Sequence, residues 1–71
     1  MFLKRICELR EDNSKTKKEI AEYLSCNRQV YARYENGIRE IPVSMVIKLA
    51  KYYGVSTDYI LELTDNPEPL K

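Results

Sequence analysis

The stretch TKKEIAEYLSCNRQVYARYENG, residues 16–37, decides the fold, because it holds the start and end signals of two short helices. The first helix begins with a capping box, in which the Thr16 hydroxyl and the Glu19 carboxylate each satisfy a backbone N–H group. Apolar residues then recur at helical spacing and predict a helix over residues 17–24. Its apolar face is formed by Ile20, Ala21 and Leu24.

A second helix follows closely, after the turn at residues 25–27. Asn27 is a strong N-cap residue and predicts a helix over residues 28–35. That helix ends at Asn36-Gly37, since glycine tolerates the left-handed conformation that often closes a helix. Two short helices joined by so short a turn form a helix-turn-helix unit. In such a unit the second helix can lie in the major groove of DNA while the first crosses the phosphate backbone.

The flanking sequence predicts three more helices around this pair. Apolar residues at helical spacing indicate a helix over residues 2–12. A fourth helix ends at Gly54 and carries one apolar stripe, formed by Val43, Val46, Ile47 and Ala50. Ser56 caps a short fifth helix with the apolar residues Ile60, Leu61 and Leu63. We therefore predict an all-α, compact five-helix fold, with one domain at residues 1–65 and a short flexible C-terminal tail at residues 66–71.

Composition excludes several classes of protein. The 71 residues form one domain at most, and no apolar run approaches the ~20 residues that span a bilayer. The N-terminus lacks the pattern of a secretory signal peptide. Histidine is absent and Cys7 and Cys26 are the only cysteines, which excludes a closed zinc site and histidine-based acid–base catalysis. We expect a cytoplasmic protein, bacterial or phage-encoded, with free thiols, no metal, no cofactor and no enzymatic activity.

The formal net charge of +1 hides an uneven distribution of charge along the chain. From Lys15 to Arg39, six basic and three acidic residues give +3. From Glu40 to Lys71, three basic and five acidic residues give −2. Near-neutrality therefore does not exclude nucleic acid as a partner. It predicts modest non-specific affinity, with more of the discrimination left to a few base-reading side chains.

The start of the second helix of the unit carries side chains suited to reading bases. Arg28 and Gln29 lie in its first turn, and Arg33 lies one turn beyond Gln29. Arginine can bond O6 and N7 of guanine together, and glutamine can bond N6 and N7 of adenine. Lys17 opens the preceding helix, where its charge and the helix dipole both attract a phosphate.

The sequence resembles the Cro and phage-repressor group of helix-turn-helix proteins, also called the xenobiotic-response-element type. The resemblance covers roughly residues 5–66 and is carried, in order and at the family's spacing, by LRE (9–11), KEIAEYL (18–24), RYENG (33–37), REIP (39–42), IKLA (47–50), VS (55–56) and DYIL (58–61). It implies a lambda-repressor-like DNA-binding domain and a transcriptional regulator, usually a repressor. Such a protein binds palindromic operators as a homodimer, formed in solution or on the DNA. The sequence gives no sign of a membrane or small-molecule partner.

The resemblance also assigns roles to single positions. The family's base-reading positions fall on Arg28, Gln29 and Arg33, together with Ala32, which approaches a thymine methyl. Its phosphate-contacting positions fall on Lys17, Asn36 and Arg39. An arginine late in the first helix commonly pairs with the glutamate of the Tyr-Glu-Asn-Gly turn, which implies a structural ion pair between Arg10 and Glu35.

Three positions depart from the family's pattern. Lys17 stands where glutamine is usual, which keeps the affinity for phosphate but loses a directional amide. Ser25 stands where glycine is usual, so a left-handed backbone there is strained. Lys15 stands where an apolar residue is usual, which removes a contact with the core.

Several residues also have a purely structural interpretation. Arg28 and Arg33, taken alone, are compatible with a helix face that contacts only solvent. Lys15, Lys17 and Lys18 are compatible with a role only in keeping the start of a helix soluble. We place Tyr31, Tyr34, Tyr53 and Tyr59 in the core with hydroxyls in contact with water, rather than stacked on bases. Ile60, Leu61 and Leu63 either close the core or, in part, form the contact between two copies of the chain.

At the level of the whole protein, the alternative is an antitoxin-like interaction module. Such a protein neutralises a partner and regulates its own synthesis through DNA binding. Residues 64–71 offer little additional sequence for binding a partner. Co-purification of a toxin would favour this alternative over a plain repressor.

Overall fold

Five helices follow one another in the computed structural model, which describes residues 3–68. No strand occurs within that range. The predicted starts of the second and third helices are confirmed, and Phe2, which the sequence places in the first helix, lies outside the described residues. The helices are α1 (Lys4–Asp12), α2 (Lys17–Tyr23), α3 (Arg28–Glu35), α4 (Val43–Tyr53) and α5 (Thr57–Ile60).

Side-chain caps open three of the five helices where the sequence predicts them. At α2 the capping box is complete: the Glu19 N–H donates to the Thr16 hydroxyl at 3.1 Å, and the Thr16 N–H donates to the Glu19 carboxylate at 3.3 Å. At α3 the Gln29 N–H donates to the Asn27 side chain at 2.6 Å. At α5 the Tyr59 N–H donates to the Ser56 hydroxyl at 3.0 Å. The caps fix these starts because they satisfy N–H groups that have no partner within the helix.

Every helix ends on one residue in the left-handed conformation. In each case the residue after it donates its N–H to a carbonyl five positions back, as in a Schellman motif; after α2, the Cys26 N–H donates to the Ala21 carbonyl at 2.9 Å. Glycine fills this position after α3 and α4. A side chain is present after α1, α2 and α5, where a left-handed backbone is strained. The five residues are Ser14, Ser25, Gly37, Gly54 and Glu62.

The core is built from all five helices and the residue that precedes α1. Tyr31 on α3 is the largest fully buried side chain. The hydroxyls of Tyr31 and Tyr53 are themselves buried. The prediction of water-accessible hydroxyls is therefore wrong for these two tyrosines. The buried apolar residues are Leu3, Ile6, Ile20, Ala21, Leu24, Tyr31, Tyr34, Val46, Leu49, Ala50 and Ile60.

The buried face of α4 is rotated relative to the predicted stripe. Val46 and Ala50 are buried as expected, and Leu49 joins them. Val43 and Ile47, also predicted to face the core, are 74% and 43% exposed. Rotation of the buried face toward Leu49 leaves Ile47 at the solvent edge of the stripe, and Val43 is exposed as the first residue of α4.

The chain beyond α5 stays attached to the domain as far as Pro67. Its carbonyl accepts a hydrogen bond from the Ser56 N–H at 2.9 Å. The predicted flexible tail thus begins with residues that are bonded to the start of α5, and Pro69 to Lys71 lie outside the described residues. Between residues 3 and 68, no helix is long and apolar enough to cross a membrane.

Replacing the left-handed serines tests the strain at the helix ends. We expect Ser14→Gly and Ser25→Gly each to raise the free energy of unfolding by about 1 kcal/mol, because glycine adopts positive φ without penalty. Urea unfolding followed by circular dichroism measures the change.

Gly54→Ala is the matched control for these variants. The φ of Gly54 is 69°, and a Cβ added there meets no atom within 4 Å, so any loss reflects the backbone conformation alone. We expect a loss of about 1 kcal/mol. Serine variants without effect, together with a neutral Gly54→Ala, would contradict the strain at these positions.

Candidate nucleic-acid interface

Helix α3 presents one face to the core and another to solvent. Tyr31, Tyr34 and Glu35 are buried, whereas Arg28 and Gln29 in the first turn are exposed. The predicted base-reading residue Arg33 is exposed as well, and Ala32 is half-buried beside it. The cap at Asn27 fixes the start of α3, so the side chains of its first turn project from a defined position.

The predicted phosphate-contacting residues flank α3. Lys17 is the first residue of α2 and is half-buried, and Asn36 is the exposed residue that ends α3. Arg39 is exposed in the loop that follows. This loop is held against α3, since the N–H groups of Ile38 and Arg39 donate to the Arg33 carbonyl at 3.0 and 3.3 Å.

The cations of this surface are available to an external anion. Across residues 3–68, Arg28, Arg33 and Arg39 form no ion pair. Nearby, Lys15 lies 3.9 Å from the Glu19 carboxylate, which already belongs to the capping box. Exposed positive side chains near a helix N-terminus favour the binding of negatively charged groups.

Arg10 of α1 forms a bidentate ion pair with Glu35 of α3. Arg10 Nε and Nη2 donate to the two Glu35 carboxylate oxygens at 2.8 and 3.2 Å. Arg10 Nη1 also donates to the Lys15 carbonyl at 3.0 Å, in the turn that leads into α2. One side chain therefore joins α1, the entry to α2 and the end of α3.

Burial and pairing act in opposite directions on Glu35. Its side chain is only 3% exposed, and burial alone would raise the pKa of the carboxyl. The hydrogen bonds from Arg10 and Tyr31, together with the positive charge of Arg10, outweigh burial, and the pKa of Glu35 lies below its ordinary value. The same pairing raises the pKa of Arg10. Both groups are charged at neutral pH, and the pair orients α3 without a free charge in the core.

The structure separates the three residues considered for a dimer contact. Ile60 is fully buried and closes the core, so it has no surface to offer a partner. Leu61 is half-buried, and Leu63 is 73% exposed beyond the end of α5. Val43 and Leu61 line one cavity of about 170 Å³. We call Val43, Leu61 and Leu63 the apolar edge. The sequence periodicity of α4 predicted that Val43 would face the core, so its exposure comes from the structure alone.

Both cysteines are free, half-buried thiols. Cys26 packs against the core in the turn between α2 and α3, as expected for that position. Burial raises the pKa of both thiols, which keeps them protonated. Within the described residues, no group of three potential ligand side chains is placed to hold a metal ion.

Comparison with known proteins places this geometry in a family. The family model described as "Helix-turn-helix" matches residues 6–60. An uncharacterized HTH-type transcriptional regulator of Bacillus subtilis, YobD, is 36% identical over 69 residues, 97% of this chain and 62% of the relative. The regulator ImmR of the same organism is 38% identical over 58 residues, 82% of this chain and 46% of the relative.

A phage repressor is among the relatives as well. The cryptic phage CTXphi transcriptional repressor RstR of Vibrio cholerae is 34% identical over 68 residues, 96% of this chain and 59% of the relative. The chain thus spans between 46% and 62% of the length of these relatives. No solved structure gives a significant match.

The pH dependence of stability tests the Arg10–Glu35 pair. Because the pKa of Glu35 is lower in the folded than in the unfolded chain, the unfolded state binds more protons in acid. The contribution of the pair is therefore complete above the unfolded value of about 4.3 and is lost as the pH falls through the folded value. We expect Glu35→Gln to lower stability by about 3 kcal/mol at pH 7, since Arg10 is left unpaired.

The measurement is urea unfolding between pH 7 and pH 3, in a Ser14→Gly background that we expect to offset part of the lost stability. The gap between the parent and Glu35→Gln should narrow as the pH falls below about 4. Glu22→Gln, at an exposed position of α2, serves as the control and should follow the parent. Parallel curves for the parent and Glu35→Gln would show that the pair contributes nothing through its charge.

Proposed function

We propose that this chain, which belongs to the helix-turn-helix family of the Cro and phage-repressor type, binds a palindromic operator in double-stranded DNA as a homodimer and represses transcription. The relatives are named as transcriptional regulators and a repressor, not as enzymes. The observation that carries the proposal is the exposure of Arg28 and Gln29 in the first turn of α3, directly after its N-terminal cap.

In this proposal α3 enters the major groove with its N-terminal residues foremost. Arg28 and Arg33 read guanine, and Gln29 reads adenine, through paired hydrogen bonds to the base edges. The half-buried Ala32 contacts a thymine methyl. The burial of Tyr31 and Tyr34 on the opposite face supports this orientation, because it leaves α3 only one face for DNA.

Lys17, Asn36 and Arg39 contact phosphates and set the register of α3 on the duplex. Lys17 begins α2, where the positive end of the helix dipole adds to its charge. Arg39 lies in the loop that is bonded to the end of α3, so its position follows that of the base-reading helix. Such contacts supply affinity and orientation rather than sequence preference.

Burial of charge makes this surface more basic than the sequence sum suggests. Residues Lys15 to Arg39 carry six basic and three acidic side chains. Of the acidic ones, Glu35 is buried against Arg10, and Glu19 is engaged by Thr16 and Lys15. A local excess of positive charge attracts the DNA backbone even though the whole chain is close to neutral.

The second copy of the chain docks on the apolar edge. One such unit covers half of an operator, and dimers place two reading helices ~34 Å apart on one side of the duplex. Val43 and Leu63 are 74% and 73% exposed, so both side chains are accessible to a second copy. A two-fold contact between two copies would cover both edges with one interface.

Substitutions in α3 test the base-reading roles. We expect Arg28→Ala or Gln29→Ala to weaken binding to the preferred operator by about 1–3 kcal/mol and to relax preference at one base pair of each half-site. The operator is first selected from random duplex DNA, which also reveals palindromy and half-site spacing. Fluorescence anisotropy with matched and mismatched duplexes then gives the affinities.

Lys17→Ala is the companion test for a phosphate contact. We expect weaker binding to every duplex, and a plot of log K against log salt that is shallower by about one per half-site. Lys51→Ala, which removes an exposed charge from α4, should leave both quantities unchanged. Normal duplex binding by a triple variant without the charges of Lys17, Arg28 and Arg33 would refute the proposed interface.

A further inference from the structure

The chain closes on itself around α5. The Ser56 N–H, just before the helix, donates to the Pro67 carbonyl at 2.9 Å. One backbone hydrogen bond therefore joins the two ends of residues 56–67, in the manner of an Ω-loop, a compact surface segment whose ends lie together. We call residues 56–67 the closed loop.

The helix inside the closed loop is too short to be stable alone. α5 is a single turn, and forming a first helical turn fixes several backbone angles for one hydrogen bond. The turn that follows is strained, because Glu62 is left-handed with a φ of 62°. The closed loop therefore depends on contacts with groups elsewhere in the chain.

Arg5 of α1 supplies such contacts. Its Nη1 donates to the Tyr59 carbonyl at 2.8 Å and to the Thr64 carbonyl at 2.6 Å. The guanidinium also lies 4.2 Å from the centre of the Tyr59 ring, in a cation–π contact. The Arg5 side chain is 15% exposed, so water competes little for these bonds. A single nitrogen thus bonds the helical part and the later part of the closed loop to α1.

Two ion pairs between α1 and the closed loop contribute less. Arg5 Nη2 meets Asp65 Oδ1 at 2.7 Å, but the Asp65 side chain is 99% exposed. Lys4 meets Glu62 at 3.6 Å, and the Lys4 side chain is largely exposed. Because ion pairs so open to solvent add little stability, the bonds to the two carbonyls are the main polar attachment of the closed loop to α1.

The closed loop and the helix-turn-helix unit are attached to different ends of α1. Arg5 lies in the first turn and bonds the closed loop, whereas Arg10 lies in the last turn and bonds Glu35 of α3. α5 packs against α1 and α4, and its Ile60 is fully buried. The closed loop can therefore leave the core without breaking the pair that orients α3.

We infer that the closed loop is a lid on the core, which opens as one unit while the helix-turn-helix unit stays folded, and that Arg5 holds this lid closed. Opening breaks the bond between the two ends of the loop, releases both carbonyls from Arg5 and withdraws Ile60 from the core. It uncovers the apolar surface of α1 and α4 that α5 covers in the closed state. Such a local opening requires less free energy than global unfolding, because fewer contacts are lost.

Native-state amide hydrogen exchange on the full chain tests the lid. Ser56 and Leu63 are the reporters, since each donates its N–H to a carbonyl within the closed loop. Cys26, whose N–H bonds the Ala21 carbonyl after α2, reports on the helix-turn-helix unit. We expect Arg5→Met to accelerate exchange at both reporters by the same factor, at least tenfold, and at Cys26 by less than twofold. Equal acceleration at all three amides would contradict a separate lid.

Two further variants separate the carbonyl bonds from the charge of Arg5. Asp65→Asn removes the exposed ion pair and should change exchange at both reporters by less than twofold. Arg5→Lys keeps a charge and a donor without the planar guanidinium, and its effect should fall between those of Asp65→Asn and Arg5→Met. An effect of Asp65→Asn as large as that of Arg5→Met would show that Arg5 does not act through the carbonyls.

Two glycine variants test the lid independently of whether Arg5→Met folds. Glu62→Gly relieves strain inside the closed loop, and Ser14→Gly relieves equivalent strain outside it, at the end of α1. We expect Glu62→Gly to slow exchange at Ser56 and Leu63 by the same factor, about fivefold, and Ser14→Gly to leave both unchanged. Equal slowing by Ser14→Gly would overturn the inference, since the reporters would then exchange only through global unfolding. Unequal slowing of the two reporters by Glu62→Gly would overturn it as well, because the loop would not open as one unit.

Discussion

The pair between Arg10 and Glu35 is the constraint on which the arrangement of this domain depends. It is buried, it is bonded through two N–H groups, and it spans from the last turn of α1 to the last residue of α3. Nη1 of the same guanidinium donates to the Lys15 carbonyl, just before α2. A buried ion pair adds little net stability, but loss of one partner leaves an uncompensated charge, so alternative placements of α3 are penalised. The direction in which Arg28 and Gln29 project follows from this constraint.

The helix ends form the second element of the architecture. Five helices fit within residues 3–68 because each one ends in a single left-handed residue that reverses the chain at once. Two of the three strained ends adjoin surfaces with a proposed role. Ser25 shapes the turn between α2 and α3, and Glu62 shapes the turn that carries the apolar edge. The fold accepts this strain where neighbouring contacts define the turn, as Cys26 does by packing in the core and Arg5 by bonding two carbonyls.

The distribution of charge explains how a chain of net charge +1 can suit a nucleic-acid partner. Tertiary structure removes Glu35 from the surface of the helix-turn-helix unit by burying it against Arg10, and Glu19 is engaged locally in the capping box of α2. The arginines of α3 and the following loop keep no such partners within the described residues. What remains is a small basic face on a nearly neutral protein, which favours discrimination by base contacts over general attraction to DNA.

The sequence by itself determined the helices and the order in which they occur. The caps at Thr16, Asn27 and Ser56 and the glycines at residues 37 and 54 act on neighbouring backbone groups, so their effects can be recognised without a fold. Tertiary structure alone decided which apolar residues are buried. Val43 is exposed although it shares a stripe with buried Val46, and Ile60 is buried although nearby Leu63 is exposed. Periodicity identifies an apolar face but not how much of it a neighbour covers. The hydrogen bonds from Arg5 to the Tyr59 and Thr64 carbonyls join residues 54 and 59 positions apart. No local sequence pattern predicts which distant carbonyls an arginine will bond in the folded chain.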